Sequence, residues 1–222
     1  MPNSRLPRLE HRLILFQYFC HLFGAKDTRD YQSALKDVAE GYDAEGHSNY
    51  LGVLSRRDGV LVSTDQLIQY DDNIKSHLVH INTGRRDPVS LKYFQYLPLL
   101  FTEIYLDRYF HNFHGLLTSL NSFIDRVNDD GASEGQPYPH FTEHDLNKIA
   151  LWMATGSGKT LLMHINFLQF IHYNTKPIDN VILLTPNEGL SAQHMEEMQK
   201  SNIPCSMLID SSDSLFSSGP RI

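Results

Sequence analysis

Leu151-Trp152-Met153-Ala154-Thr155-Gly156-Ser157-Gly158-Lys159-Thr160 is the run whose reading decides the predicted fold. Its second half has the residue types of a phosphate-binding loop. Gly156 and Gly158 permit left-handed dihedrals and a close backbone approach that a Cβ would block. The chain then enters a predicted helix at 161–173, whose first N–H groups lack intrahelical partners and point at any anion placed there. Lys159 would reach the β- and γ-phosphates as a point charge, and Thr160 would set its hydroxyl on a magnesium ion. Thr155 and Ser157 complete the curl. The strict pattern opens with glycine, where this chain has Met153. Before the loop, Ile149-Ala150-Leu151-Trp152-Met153 is an apolar run suited to a buried strand, so the context reads strand, glycine-rich loop, helix. The plainer alternative is a Gly-Ser turn with an exposed lysine.

A second segment extends the pattern. Val181-Ile182-Leu183-Leu184 is a short apolar run of strand type, closed by Thr185-Pro186. A helix is predicted from Asn187 toward Lys200, with Leu190, His194 and Met198 on one face.

With these two segments the chain resembles superfamily 2 helicases of the DEAD/DEAH-like kind. Its nearest likeness is to the motor subunits of type III and type I restriction enzymes and related phage-defence helicases. Residues 152–160 are similar to their motif I, and Thr185-Pro186 with Leu190 and Gln193 to their motif Ia. The resemblance covers about a third of the chain, from Asp145 onward.

Much follows as what the resemblance implies. The fold class is α/β, a partial RecA-like P-loop lobe of parallel sheet with flanking helices, preceded by a mainly helical region. The domains are a helical region at 1–128, a linker at 129–144 and the lobe at 145–222. ATP and Mg2+ are the implied cofactors, with Lys159 and Thr160 acting on the phosphates and metal. DNA is the implied partner, touched by Thr185, Pro186, Asn187 and Gln193, and a modification or nuclease subunit would accompany the motor. A glutamine in an aromatic setting reads the adenine edge in that family. Gln95, within Tyr93-Phe94-Gln95-Tyr96, is the candidate, because an amide both donates and accepts. The alternatives stay open: motif Ia as an ordinary β-turn-α connection with Gln193 facing solvent, and Gln95 as the end of a core helix.

A working motor also needs a strand ending in Asp-Glu to complete the magnesium site. No such pair follows an apolar strand here. Ser206-Met207-Leu208-Ile209-Asp210 is the nearest candidate; residues 205–210 are read as a third strand, with Asp210 opening a loop. Motifs of a second lobe, with its arginine finger, are missing too. The expectation is an N-terminal piece of a longer protein that does not hydrolyse ATP at a useful rate alone. The competing readings are a truncated non-motor nucleotide-binding or interaction fragment, and a P-loop kinase or regulatory NTPase using Asp210.

Composition sets the frame. In 222 residues, 41% hydrophobic content suffices for a packed core, and a net charge of −7 argues against coating nucleic acid by bulk positive charge. Arg56-Arg57 and Arg85-Arg86 could line a nucleic-acid path or be solvated surface. Cys20 and Cys205 give no disulfide framework. Gln17 and His21 interrupt the only apolar run near the N-terminus, and no stretch is suited to span a membrane, so a cytoplasmic location is expected.

Helices are predicted at 9–23 and 28–40, with a short hairpin near Arg57-Asp58-Gly59. Ser63 with Gln66 reads as a capping box opening a helix that carries Leu67, Tyr70, Ile74, Leu78 and Ile81 on its buried face, ended by Gly84. Pro98 must sit at a helix start or kink, and an inserted helix is predicted near 115–128. Residues 129–144 are turn-rich. Of the histidine pairs, only His140 with His144 has one-face helical spacing, and no cysteine or carboxylate cluster completes a metal site.

Overall fold

The computed structural model describes residues 9–131 and 137–208. Among them the regular structure is helical throughout. After a 3-10 turn at Leu9–Arg12 come α1 (Ile14–Leu22), α2 (Thr28–Leu35), α3 (Asn49–Leu54), α4 (Thr64–Asn82), α5 (Tyr93–His111) and α6 (Phe113–Asp129). A second 3-10 turn at Asp145–Asn147 leads to α7 (Lys159–Tyr173) and α8 (Glu188–Lys200).

α5 is the axis of the molecule. Its sequence has no polar stripe, and Tyr96, Leu97 and all of 99–106 are buried. A helix apolar on every side must be surrounded. Here α4, α6 and α7 pack around it. α1 joins through Phe19, whose ring stacks on Phe101 at 4.7 Å. Pro98 lies within the first two turns of α5. The Thr102 hydroxyl bonds the Pro98 carbonyl at 2.8 Å.

Helix starts follow from local chemistry. The Asp27 side chain accepts from the N–H groups of Arg29 and Asp30, opening α2. Ser63 accepts from the N–H of Gln66 at 3.3 Å, and α4 buries Leu67, Tyr70, Ile74, Leu78 and Ile81 as its spacing predicts. The bond from the Gln66 N–H is the forward half of the predicted capping box, and the Ser63 hydroxyl in turn donates to the Gln66 amide oxygen at 3.1 Å. Gly84 stands just past α4, and what it supplies is space: a Cβ there would lie 2.8 Å from the Lys200 carbonyl oxygen. α2 is shorter than the predicted 28–40. The predicted hairpin is a turn at Gly59 (φ +79°) with one isolated bridge between Phe23 and Val60.

The α/β expectation is overturned. Among the described residues there is no strand and no sheet, only two isolated bridges, Phe23 with Val60 and Tyr42 with Ser48. The runs read as buried strands are irregular and exposed. Ile149, Leu151 and Trp152 show 40, 43 and 77% of their surface, and Ile182 and Leu184 show 68 and 87%. Strand character requires a partner ladder for the backbone N–H and C=O groups. These runs of four or five residues have no such partner among the described residues. Of the predicted third strand, residues 205–208 are irregular, and Ile209 and Asp210 lie outside the described residues. The kinase alternative, which needs Asp210, therefore falls there too.

Candidate functional site

The loop 155–160 stands where α7 begins. Gly156 and Gly158 adopt φ of +77° and +87°, the left-handed region that costs a glycine little. At Gly156 the dihedral is the whole reason, since a Cβ would meet nothing within 4 Å. At Gly158 space counts as well, because a Cβ would lie 2.5 Å from Gln95 Nε2. Gly158 is also the N-cap of α7, and no side chain caps that end. By contrast, Asp27, Ser48, Ser63, Asn112 and Asn187 each cap their helices. The first-turn N–H groups of α7 are thus left to whatever binds there, which is the donor arrangement an anion needs.

Lys159 is exposed. Its ammonium donates back to the carbonyls of Ala154 at 2.9 Å and Met153 at 3.4 Å, spanning the loop. Ser157 closes the turn through its hydroxyl on the Ala154 carbonyl at 2.7 Å. Thr155 is exposed and Thr160 half-buried. Gln95 lies against this loop: its Nε2 donates to the Ser157 carbonyl at 3.0 Å, and its Oε1 accepts from the Lys92 N–H at 3.0 Å. The predicted adenine reader and the loop, 62 residues apart in sequence, are therefore neighbours in space. Thr155, Gly156 and Ser157 of the loop border a cleft of about 1180 Å3 between α1, α5 and the segment leading into the loop, with Phe94, Leu97, Trp152 and Met153 among its lining. The sequence offered Tyr93 and Phe94 only as part of an aromatic run, with no sign that they face the loop.

α7 is held along its length. Leu162 and Ile165 are buried, and Gln169 Nε2 donates to the Leu99 carbonyl at 2.9 Å. At the far end Tyr173 donates its hydroxyl to Glu103 at 2.6 Å, and Asn73 reaches the same carboxyl oxygen at 3.1 Å. Glu103 is fully buried, and burial pushes its carboxyl above the usual range against the pull of these donors. His77 faces its other oxygen at 3.9 Å, and burial lowers that imidazole to about 4.

The second segment is built otherwise. Asn187 caps α8, accepting from the Leu190 N–H at 2.9 Å. Thr185 turns its hydroxyl onto the Asn187 carbonyl at 3.1 Å and also meets Ser191. Pro186 and Gln193 are exposed. Two of the four nucleic-acid candidates are thus engaged in shaping the turn, and two face outward.

The basic pairs split. Arg57 is tied to Asp30 at 2.8 Å and to the Phe23 carbonyl, and Arg85 to Ser201 at 2.7 Å, while Arg56 and Arg86 are exposed. His140 pairs with Asp125 at 2.6 Å. Among the described residues no group of three or more His, Cys, Asp or Glu side chains could hold a metal ion, and no helix is long and apolar enough to cross a membrane. Both cysteines are free thiols.

Comparison with known proteins adds one finding. Residues 116–214, just under half of the chain, match the family described as type III restriction enzyme, res subunit. The match spans α6, the loop, α7 and α8, and supports a DEAD/DEAH-like helicase of restriction type over that stretch. No curated protein and no solved structure matches the chain.

Proposed function

We propose that the chain is the ATP-binding portion of a DNA helicase or translocase of restriction or phage-defence type. Thr155, Gly156, Ser157 and Gly158 form the phosphate cradle, Lys159 neutralises the outer phosphates, and Thr160 holds the magnesium ion. The observation that carries the reading is the uncapped start of α7 behind two left-handed glycines. The residues fit the triphosphate: free N–H donors, a lysine one residue into the helix, and an open approach. To receive phosphate, Lys159 exchanges the carbonyls of Ala154 and Met153 for a stronger, charged partner. Gln95, bonded from α5 to the Ser157 carbonyl, is assigned the base edge, with Phe94 of the cleft lining beside it. When bound, ATP with Mg2+ supplies the free energy of a motor, and Thr185, Pro186, Asn187 and Gln193 are assigned to the DNA backbone.

The domains at 1–128, 129–144 and 145–222, a cytoplasmic location and a modification or nuclease partner subunit belong to the same reading. A second reading, a non-motor interaction fragment, draws on the exposure of Val181, Ile182, Leu183 and Leu184, since such apolar runs mark contact surfaces.

Trp152, the only tryptophan, lines the cleft beside the loop and is 77% exposed, so its fluorescence reports on ligand. ATP with Mg2+ is expected to change its emission saturably, and Lys159→Ala to weaken apparent affinity at least tenfold while circular dichroism stays unchanged. Equal responses from both proteins would remove the nucleotide reading.

A further inference from the structure

Ser201, the residue that ends α8, is wholly buried. Its hydroxyl stands between two groups from elsewhere in the fold, His164 Nδ1 of α7 at 2.8 Å and Arg85 Nη2, just past α4, at 2.7 Å. A guanidinium only donates, so Ser201 Oγ accepts from Arg85, while the direction of its bond with His164 Nδ1 is set by the imidazole tautomer. Burial and the nearby Arg85 lower the His164 imidazole to about 4. His164 Nε2, Arg85 Nε and His194 Nδ1 are all buried without a partner. Apolar side chains of similar size would fill this space at less cost. A buried polar junction kept on such terms asks for a role beyond cohesion.

The position of the junction supplies one. His164 lies one turn along α7 from Thr160, on the helix that begins at the loop. α8 has no buried residue of its own. Its C-terminal end is gripped instead: by Ser201, by His80 Nε2 on the Asn202 carbonyl at 3.2 Å, by Arg85 near Glu197 at 3.8 Å, and by Gly84 against the Lys200 carbonyl. The side-chain bonds that tie α8 to the bundle thus gather at its C-terminal end, and among the described residues His164 is the member of that grip on the loop's own helix. A displacement of α7 reaches α8 through a short, directional bond between buried groups, which cannot stretch without losing its partner.

We propose that the Arg85–Ser201–His164 relay couples nucleotide occupancy of the loop to the position of α8, with Ser201 as the positioning residue. The proposal rests on the nucleotide-binding reading above. Engagement of phosphate at the start of α7 shifts or stiffens that helix, Ser201 follows His164, and the far end of α8, with Thr185, Pro186 and Asn187, moves with it.

Amide hydrogen exchange of the whole chain, with and without a non-hydrolysable ATP analogue and Mg2+, tests both statements separately. The nucleotide is expected to slow exchange at 157–162 and to change it at 190–201, about fivefold or more at each. In Ser201→Ala the effect at 157–162 remains and that at 190–201 disappears, while Ser201→Thr, which keeps the hydroxyl, retains both. Should Ser201→Ala fail to fold, His164→Leu removes the α7 side of the bond and is expected to diminish the effect at 190–201 alone. Unchanged exchange at 190–201 in the parent chain, or a full response there in the folded Ala or Leu variant, overturns the coupling and leaves nucleotide binding standing. No change at 157–162 in the parent chain removes the nucleotide reading, and the coupling with it.

Discussion

α7 and α8 are similar in length and lie in the same half of the chain, yet they are attached in opposite ways. α7 buries Leu162, His164, Ile165, Gln169 and Tyr173, and is bonded to α5 through Gln169 and Tyr173 in its last two turns. α8 buries none of its thirteen residues and is held at its C-terminal end. A helix that starts at a phosphate loop benefits from the first arrangement, because the loop's geometry is only as fixed as the helix behind it. A helix that must shift with ligand benefits from the second, because few apolar contacts oppose its movement. The N-terminal bundle thereby becomes the support of the loop: α5 supplies Gln95 to Ser157, the Leu99 carbonyl to Gln169, and Glu103 to Tyr173.

The comparison breaks most readily at the two buried faces. Ile165→Ala is expected to cost about 2–5 kcal/mol in urea unfolding, the usual range for emptying a well-packed core position. Met198→Ala, on the half-buried side of α8, should cost less than about 1 kcal/mol. Equal losses would erase the distinction.

That contrast was only partly legible in the amino-acid sequence. The face of α4 could be read because helical periodicity is local: Leu67, Tyr70, Ile74, Leu78 and Ile81 repeat within one element and are buried together. The loop was legible for the same reason, since its glycines answer to their own dihedrals. Strand character is not local. Val181, Ile182, Leu183 and Leu184 carry the apolar run of a strand, but pairing depends on residues elsewhere, and the run lies exposed. Nor could spacing show that Gln95 touches Ser157, that Arg85 meets Ser201, or that a glutamate inside an aromatic helix would be wholly buried. His164, alone among apolar neighbours in Leu161-Leu162-Met163-His164-Ile165, was the one visible hint of a buried polar junction.

A smaller effect is expected at the start of α8. Asn187→Ala removes the side chain that holds the Leu190 N–H, at a cost of about 1 kcal/mol. With so little of α8 buried, the loss should appear as faster amide exchange over its first turn and barely in the global unfolding midpoint.

The smallest effect at neutral pH concerns Glu103, and it grows with pH. Its folded carboxyl titrates above its unfolded value, so the stability it contributes is complete below the unfolded value and is lost as pH rises through the folded one. Glu103→Gln keeps an oxygen for Tyr173 and Asn73 and cannot ionise. The melting temperature of the variant relative to the parent should therefore rise between pH 5 and pH 8. A gap that stays constant or narrows over that range would show that Glu103 carries no burial cost.

The central claim is that the loop's helix belongs to the core while α8 is only half-buried and is bonded at its C-terminal end. Native-state amide exchange in rising, sub-denaturing urea tests it most directly. At Leu162 and Ile165 exchange is expected only through global unfolding, with a urea dependence matching that of the whole chain. From Leu190 to Met198 it should proceed through local opening that urea hardly affects. If both helices exchange by the same urea-dependent route, the two are one cooperative unit, and the account of a core helix beside a weakly packed one is wrong.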